Sequence, residues 1–330
     1  MPHPGPNLVP MLRPNHRPGR PASIAVAAAL VVALLAGCGG DDSGATPDST
    51  VSQPGGSAGG QSAAQGFDAD RAFADVETQV ALGPRPAGSK ASAELAELLA
   101  QQIKRAGVGE VTIQRPDANV VGTIPGEEPG FIVVGAHHDT KDIDGFVGAN
   151  DGASGVAVVL ELARSLPKPL PGPSLAIALF DAEEARGSRP FAVDGTRGSR
   201  QYVAYARDGR QRTPPLEEIR AMVLFDLVGD CDLQIPREAK SSAPLYGLFA
   251  AAGSGSAPTP FGGEVGPIGD DHVPFLQEGI EAVDLIDFTF GPGGTPGAFW
   301  HTTEDTLDKV CPESLAAVGE AALVAIPQIR

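Results

Sequence analysis

Short apolar runs alternate with longer stretches of helical spacing from Phe131 to the end of the chain. Phe131-Ile-Val-Val-Gly-Ala136, Leu175 to Phe180, Met222 to Leu227 and Ala282 to Ile286 are continuously or almost continuously apolar. That is the pattern of strands buried on both faces. Ala153 to Leu166 repeats its apolar residues at helical intervals and stops at Pro167, Glu313 to Ile326 does the same at the end, and another helix is expected near Ala91–Arg105. Strands separated by helices predict an α/β fold, a single globular domain with a mostly parallel central sheet and helices on both faces. Ligand sites in such sheets lie beyond the carboxyl ends of the strands. The polar residues that follow the apolar runs are therefore the candidates for chemistry.

The first 66 residues do not belong to that pattern. Residues 1–37 carry Arg13, Arg17 and Arg20 and no acid, then an apolar run from Ile24 to Leu35, then Leu35-Ala36-Gly37-Cys38. A basic segment, a short apolar segment and small residues before a cleavage point describe a signal peptide. The run is short for a membrane span of roughly 20 residues. The last four residues resemble a bacterial lipobox, in which the Cys becomes the lipidated first residue. An ordinary signal or a membrane anchor with an incidental Cys is the other reading, and translation starts at Met1 or at Met11. Residues 38–66 are rich in Gly, Ser and Ala with almost no large apolar side chain, the composition of a flexible tether. The expectation is an exported protein, held by lipidated Cys38 at the outer face of the bacterial membrane, with its catalytic domain at 67–330.

Charge adds an exclusion. The chain carries a formal −17, which becomes −20 once the three Arg of residues 1–37 are removed. Basic clusters are missing, so nucleic acid is not an expected partner. Besides Cys38 there are only Cys231 and Cys311, which have no metal-pair spacing. In an exported protein they could pair, but two residues define no framework.

His137-His138-Asp139-Thr140-Lys141 follows the first apolar run, and Gly148-Ala-Asn-Asp151-Gly-Ala-Ser-Gly155 leads into the next helix. Asp181-Ala-Glu183-Glu184 ends the second run, and Asp226 sits inside the third. Gly269-Asp270-Asp271-His272 and Trp300-His301-Thr302 complete the set, so every His beyond residue 37 lies in one of these clusters. Imidazole with carboxylate is the ligand set of zinc sites that keep an open position. Taken singly, each piece has a plainer explanation: a strand-end His held by hydrogen bonds, acids at a helix start, a capping Asp151. Asp226 is harder to explain that way, because a carboxylate in an apolar strand needs a strong partner.

The ordered series H-x-D, G-A-N-D-G-x-S-G, D-x-E-E, F-D-L-V-G, D-D-H-x-P-F-L-x-x-G and W-H-T-x-E-D-T-L-D-K-V resembles the zinc exopeptidases of metallopeptidase family 28. That family includes bacterial aminopeptidases and the animal-type glutaminyl-peptide cyclotransferases. The resemblance implies that His137, Asp151, Glu184, Asp226 and His301 are metal ligands, with Asp151 bridging where two metals bind. It makes Asp139 a residue that orients His137 and Glu183 the general acid/base. It also implies peptide or protein N-termini as substrates. One zinc ion is implied for a cyclotransferase and two for an aminopeptidase.

The ligand positions do not separate the two chemistries. Asp270 does, because D-D-H stands where the aminopeptidases more usually show S-D-H, and in the cyclotransferases that Asp resembles a partner of the proton-shuttling Glu. Trp300 directly before His301, Gly198-Ser199-Arg200, and Lys141 after H-x-D-T also look cyclotransferase-like. Gly152-Ala-Ser-Gly155 and the segment His301 to Lys309 look like the broader peptidase pattern. The expected function is glutaminyl-peptide cyclotransferase, with zinc aminopeptidase as the alternative. A catalytically inactive binding ectodomain is the remote one, since such a protein would have lost a ligand or the acid/base Glu.

Overall fold

The computed structural model describes residues 66–255 and 258–330. The expected signal sequence, the tether up to Gln65 and Cys38 lie outside the described residues. None of the described helices is long and apolar enough to cross a membrane.

The described part begins with α1 (Ala69–Val80) and α2 (Lys90–Arg105), whose N-termini are capped by the Asp68 and Ser89 side chains. The strands β1 (Gly109–Ile113) and β2 (Val120–Ile124) follow, then β3 (Gly126–His137), α3 (Ser154–Ser165) and β4 (Leu170–Phe180). After these come α4 (Phe191–Asp194), α5 (Arg197–Asp208), β5 (Ile219–Asp226) and β6 (Ile235–Glu238). The remaining elements are α6 (Ala243–Ala252), β7 (Phe261–Val265), α7 (Val273–Gln277), β8 (Glu281–Ile286) and α8 (Pro312–Ala325). Six strands form one sheet in the order β1-β2-β4-β3-β5-β8, while β6 and β7 pair separately. The pairs β3–β4, β3–β5 and β5–β8 are parallel, as expected, whereas β1–β2 and β2–β4 are antiparallel.

Alternation along the strands divides the core. Ile132, Val134 and Ala136 of β3 pack with Leu175, Ile177 and Leu179 of β4 against α1, α2, α3, α6 and α8. Val133, Ala176, Ala178, Met222 and Leu224 point the other way, onto Tyr202 and Val203 of α5 and Phe275 of α7. Because both faces are covered, the central strands carry no polar stripe until their ends. At the start of α3 the helix touches the sheet: a Cβ on Gly155 would lie 2.0 Å from the Phe225 carbonyl oxygen. Only glycine permits that approach, and it brings the loop before α3 down onto the ends of β3 and β5.

Cys231 and Cys311 form a disulfide, resolving the choice left open by spacing. It ties the loop after β5 to the start of α8. Backbone bonds from Cys231 N to Lys309 O and from Cys311 N to Gly229 O run beside it.

Candidate metal centre

The carboxyl ends of β3, β4 and β5 converge, and every residue assigned to the metal lies there. His137 and Asp226 are the last residues of their strands, and Glu183 and Glu184 follow β4. Asp151 enters from the loop before α3 and His301 from the loop between β8 and α8. Unusual backbone accompanies these positions: His301 itself, Ala182 directly before Glu183, and Leu227 directly after Asp226 all have positive φ. Strain at non-glycine residues persists only where the surroundings enforce it, and here it aims side chains at one point.

Two donor groups share Asp151. His137, Asp151 and Asp226 form one, and Asp151, Glu184 and His301 form the other. His137 Nε2 lies 3.3 Å from Asp151 Oδ1 and 3.2 Å from Asp226 Oδ1. His301 Nε2 lies 3.4 Å from Asp151 Oδ2 and 2.8 Å from Glu184 Oε1. Each carboxylate oxygen of Asp151 thus faces a different imidazole. Donors about 2.0–2.2 Å from a tetrahedral zinc stand about 3.4 Å apart, so the separations of 3.2 to 3.4 Å fit zinc, while His301 and Glu184 at 2.8 Å are in hydrogen-bond contact and would open slightly around an ion. Asp151 Oδ2 is buried without a hydrogen-bond partner, which a cation would supply. His137 Nδ1 faces the Asp139 backbone carbonyl at 3.2 Å, so Nδ1 carries the proton and Nε2 is left as the ligand atom.

Asp139 does more than the resemblance implies. Its carboxylate stands 3.7 Å from His137 Nδ1, and its backbone carbonyl is what orients the imidazole. The two carboxylate oxygens also accept from the backbone N–H groups of Glu183 and Glu184, at 3.0 and 3.2 Å. Beside His137, the same side chain therefore also fixes the turn presenting both glutamates. A Cβ on Gly152 would come within 2.5 Å of the Asp139 carbonyl oxygen, and its φ of 93° suits glycine alone. His138 points away, its Nε2 facing the Ala118 carbonyl at 3.3 Å.

Electrostatics follow from burying many acids together. Burial, and next the neighbouring Glu184, push Glu183 well above the usual carboxylate range. Burial with Asp284, Asp226 and Glu183 does the same to Asp270. Glu184 behaves oppositely: burial opposes it, but His301 and Lys141 hold it below its ordinary value. Lys141 Nζ donates to Glu184 Oε2 at 3.0 Å. Asp271 accepts from Ser199 Oγ, which places the Gly198-Ser199-Arg200 segment against the D-D-H turn. His272 is fully buried between Glu238 and Asp284, at 3.4 and 3.6 Å, behind Asp270.

A cavity of about 340 Å³ opens on this edge. Glu183, Asp270, Asp151, Glu184, Asp226, His301, Lys141 and Trp300 all line it, with Phe191, Ile286 and Phe288 as apolar wall. Trp300 stacks on the ligand ring of His301, centroids 3.8 Å apart and planes 17° from parallel, and meets Phe288 edge-on.

Two buried residues that the motifs left without a role secure the Asp151 loop. Asp305 accepts from the backbone N–H groups of Asn150 and Asp151, at 2.7 and 3.0 Å. Arg85 donates from the other side to the carbonyls of Val147 and Gly148. Asp305 was visible inside the W-H-T-x-E-D motif, but a backbone-binding role leaves no mark on spacing. Asp305→Ala is expected to weaken zinc affinity roughly 10–100-fold without removing a ligand, read by competition with a chromogenic chelator. Unchanged affinity would contradict this role.

The same acids set a pH dependence. An acid with a folded pKa above its unfolded value stabilises the fold at low pH, and that contribution is lost as pH rises through the folded value. Burial chiefly pushes Asp271 and Asp305 each from 3.8 to about 7. His137 and His301 are also raised from 6.5, their carboxylate neighbours outweighing burial, so their stabilisation is lost only above that pH and continues the same trend. The metal-free protein should therefore lose thermal stability between about pH 4 and about pH 7, and zinc should restore it at neutrality. Melting temperatures with and without zinc test this; a metal-free protein that grows more stable across the window contradicts it.

A sequence profile for Peptidase family M28 matches residues 119–326. The chain belongs to peptidase family M28. Among relatives, a "Glutaminyl-peptide cyclotransferase" of Bothrops jararaca is 30% identical over 241 residues, covering 62% of this chain and 64% of that protein. This chain therefore spans somewhat less than two thirds of the length of the curated relatives it matches. Among solved structures, a glutaminyl cyclase of an Acidobacteriales bacterium is 30% identical with a TM-score of 0.70, covering 83% of this chain and 99% of that one. A Zn-dependent exopeptidase from Parabacteroides distasonis is 27% identical with a TM-score of 0.65, covering 79% and 98%. For an M28 member with this donor set, zinc is the metal in keeping with both the family and the geometry.

Proposed function

We propose that this protein is a zinc-dependent glutaminyl-peptide cyclotransferase, converting an N-terminal Gln to pyroglutamate with release of ammonia. The observation that carries this reading is the pair Glu183 and Asp270: two buried carboxylates in one pocket, both pushed toward the protonated form. Both reactions need a proton taken from the nucleophile and returned to the leaving nitrogen; the feature that favours cyclisation is the second buried carboxyl, Asp270, beside Glu183. Two carboxyls that share protons suit that traffic. The cyclotransferases and glutaminyl cyclases among the relatives support the same reading.

Asp151, Glu184 and His301 would hold the catalytic zinc, since these three ligands line the pocket and His137 does not. Bound there, zinc would act as a Lewis acid toward the side-chain amide oxygen of the substrate. Glu183 takes a proton from the α-amine as its nitrogen bonds to the side-chain amide carbon, then gives it to the departing amide nitrogen, which leaves as ammonia. Asp270 supports Glu183 in holding that proton. Trp300, Ile286 and Phe288 exclude water and pack the aliphatic part of the side chain, which favours ring closure over hydrolysis. We assign one zinc ion to this reaction. The proposed setting remains the outer face of the membrane, with lipidated Cys38 as anchor.

Aminopeptidase activity is the second reading, favoured by one observation: His137, Asp151 and Asp226 keep the geometry of a second metal position. The two are separated with the zinc-loaded protein and peptides beginning with Gln or with Leu. Ammonia from the Gln peptide, with the Leu peptide untouched, is expected. Release of free Leu would support the hydrolase instead.

A further inference from the structure

Beside the metal pocket lies a second hollow of about 270 Å³, and Phe191, Gly269 and Asp270 form walls of both. Its character is different. Arg200 and Lys240 line it, and Asp270, itself buried, is its only acid. Arg200 and Lys240 are both exposed, but the Arg200 guanidinium is held in place. Its Nε donates to the Thr196 carbonyl and its Nη2 to the carbonyls of Val193 and Gly195, which fix the guanidinium plane. Those bonds occupy one edge and leave Nη1 without a partner among the described residues. Neither Arg200 nor Lys240 forms a salt bridge there, in a chain whose acids outnumber its Lys and Arg by 41 to 24.

We infer that this hollow is a subsite for a carboxylate carried by the substrate a short distance from its N-terminus. The inference rests on the proposed action at peptide N-termini. A peptide whose first residue occupies the metal pocket has its α-amine among carboxylates, and its following residues leave across the shared wall of Phe191 and Gly269. The first carboxylate it presents on that side meets a preorganised guanidinium and an ammonium. The site is therefore bipolar, acidic for the amine and basic for the far end. Two chemical sources fit equally: an acidic side chain, or the terminal carboxylate of a very short peptide.

The test uses the full zinc-loaded chain carrying Glu183→Gln, so that substrate stays intact, and reads binding from the fluorescence of Trp300, the only Trp in the sequence. Gln-Ala-Glu-amide is compared with Gln-Ala-Gln-amide for the side chain, and Gln-Ala with its amide for the terminus. Either carboxylate, or both, should bind roughly three- to tenfold tighter than its neutral counterpart. The preference should vanish at about 1 M salt, where charges are screened beyond about 3 Å. Arg200→Gln combined with Lys240→Gln should abolish it while leaving the neutral peptides unchanged. Equal binding of acidic and neutral peptides, or a preference that survives the double substitution, overturns the subsite. Because no turnover is needed, this outcome is independent of whether the first residue is cyclised or cleaved. If no Gln peptide binds in the pocket at all, the subsite and the proposed function fall together.

Discussion

Glu183→Gln is expected to retain zinc and to lower kcat by roughly 10²–10⁴-fold. The side chain keeps its shape and its place in the pocket but can no longer carry the proton. No first ligand is removed, and the turn that presents it depends on the backbone N–H of residue 183 reaching Asp139, which the substitution leaves alone. Substrate affinity should change little. Steady-state kinetics beside a measured zinc content separate these effects. Turnover within a few-fold of wild type would remove Glu183 from the reaction, and loss of zinc would mean that it serves as a ligand.

The second large effect is expected at Asp270. Replacing it with Ser creates the S-D-H pattern more usual among aminopeptidases, and cyclisation should fall roughly a hundredfold. Asp270 Oδ1 accepts from the Asp271 backbone N–H, but its Oδ2 is buried without a partner, which leaves that oxygen free to share a proton in the pocket. Zinc content and melting temperature should hold, or the latter should rise, because a strained buried acid is removed. Undiminished cyclisation would take away the main support for assigning proton traffic to a carboxyl pair. A gain of peptide hydrolysis would show that this position selects between the two chemistries.

The legible parts of the molecule were those written in local pattern. The strands β3, β4, β5 and β8 are apolar because helices cover both faces, so their positions and the polar residues at their ends could be read directly. Asp226 gave itself away as a carboxylate closing an apolar run, and it meets His137 Nε2 at 3.2 Å. The antiparallel strands β1 and β2 escape the pattern: β1, at the sheet edge, is exposed along part of its length, and β2 contains Gly122 and Thr123. Neither makes a continuous apolar run. Arg85 was illegible for another reason. It serves the Asp151 loop through backbone carbonyls more than sixty positions away, and such partners leave no residue type to recognise. Asp139 was recognised as part of the site, but its bonds to the N–H groups of Glu183 and Glu184 depend on how β3 and β4 lie side by side. The carboxylate subsite beside Arg200 likewise depends on α5 and the turn before α7 meeting at Gly269.

The most direct measurement is mass spectrometry of a Gln-initiated peptide incubated with the zinc-loaded protein, against a metal-free control. Cyclisation predicts loss of a single ammonia with the chain otherwise intact, faster than the uncatalysed reaction and abolished by Glu183→Gln. Loss of the whole first residue would contradict it and make the protein an aminopeptidase.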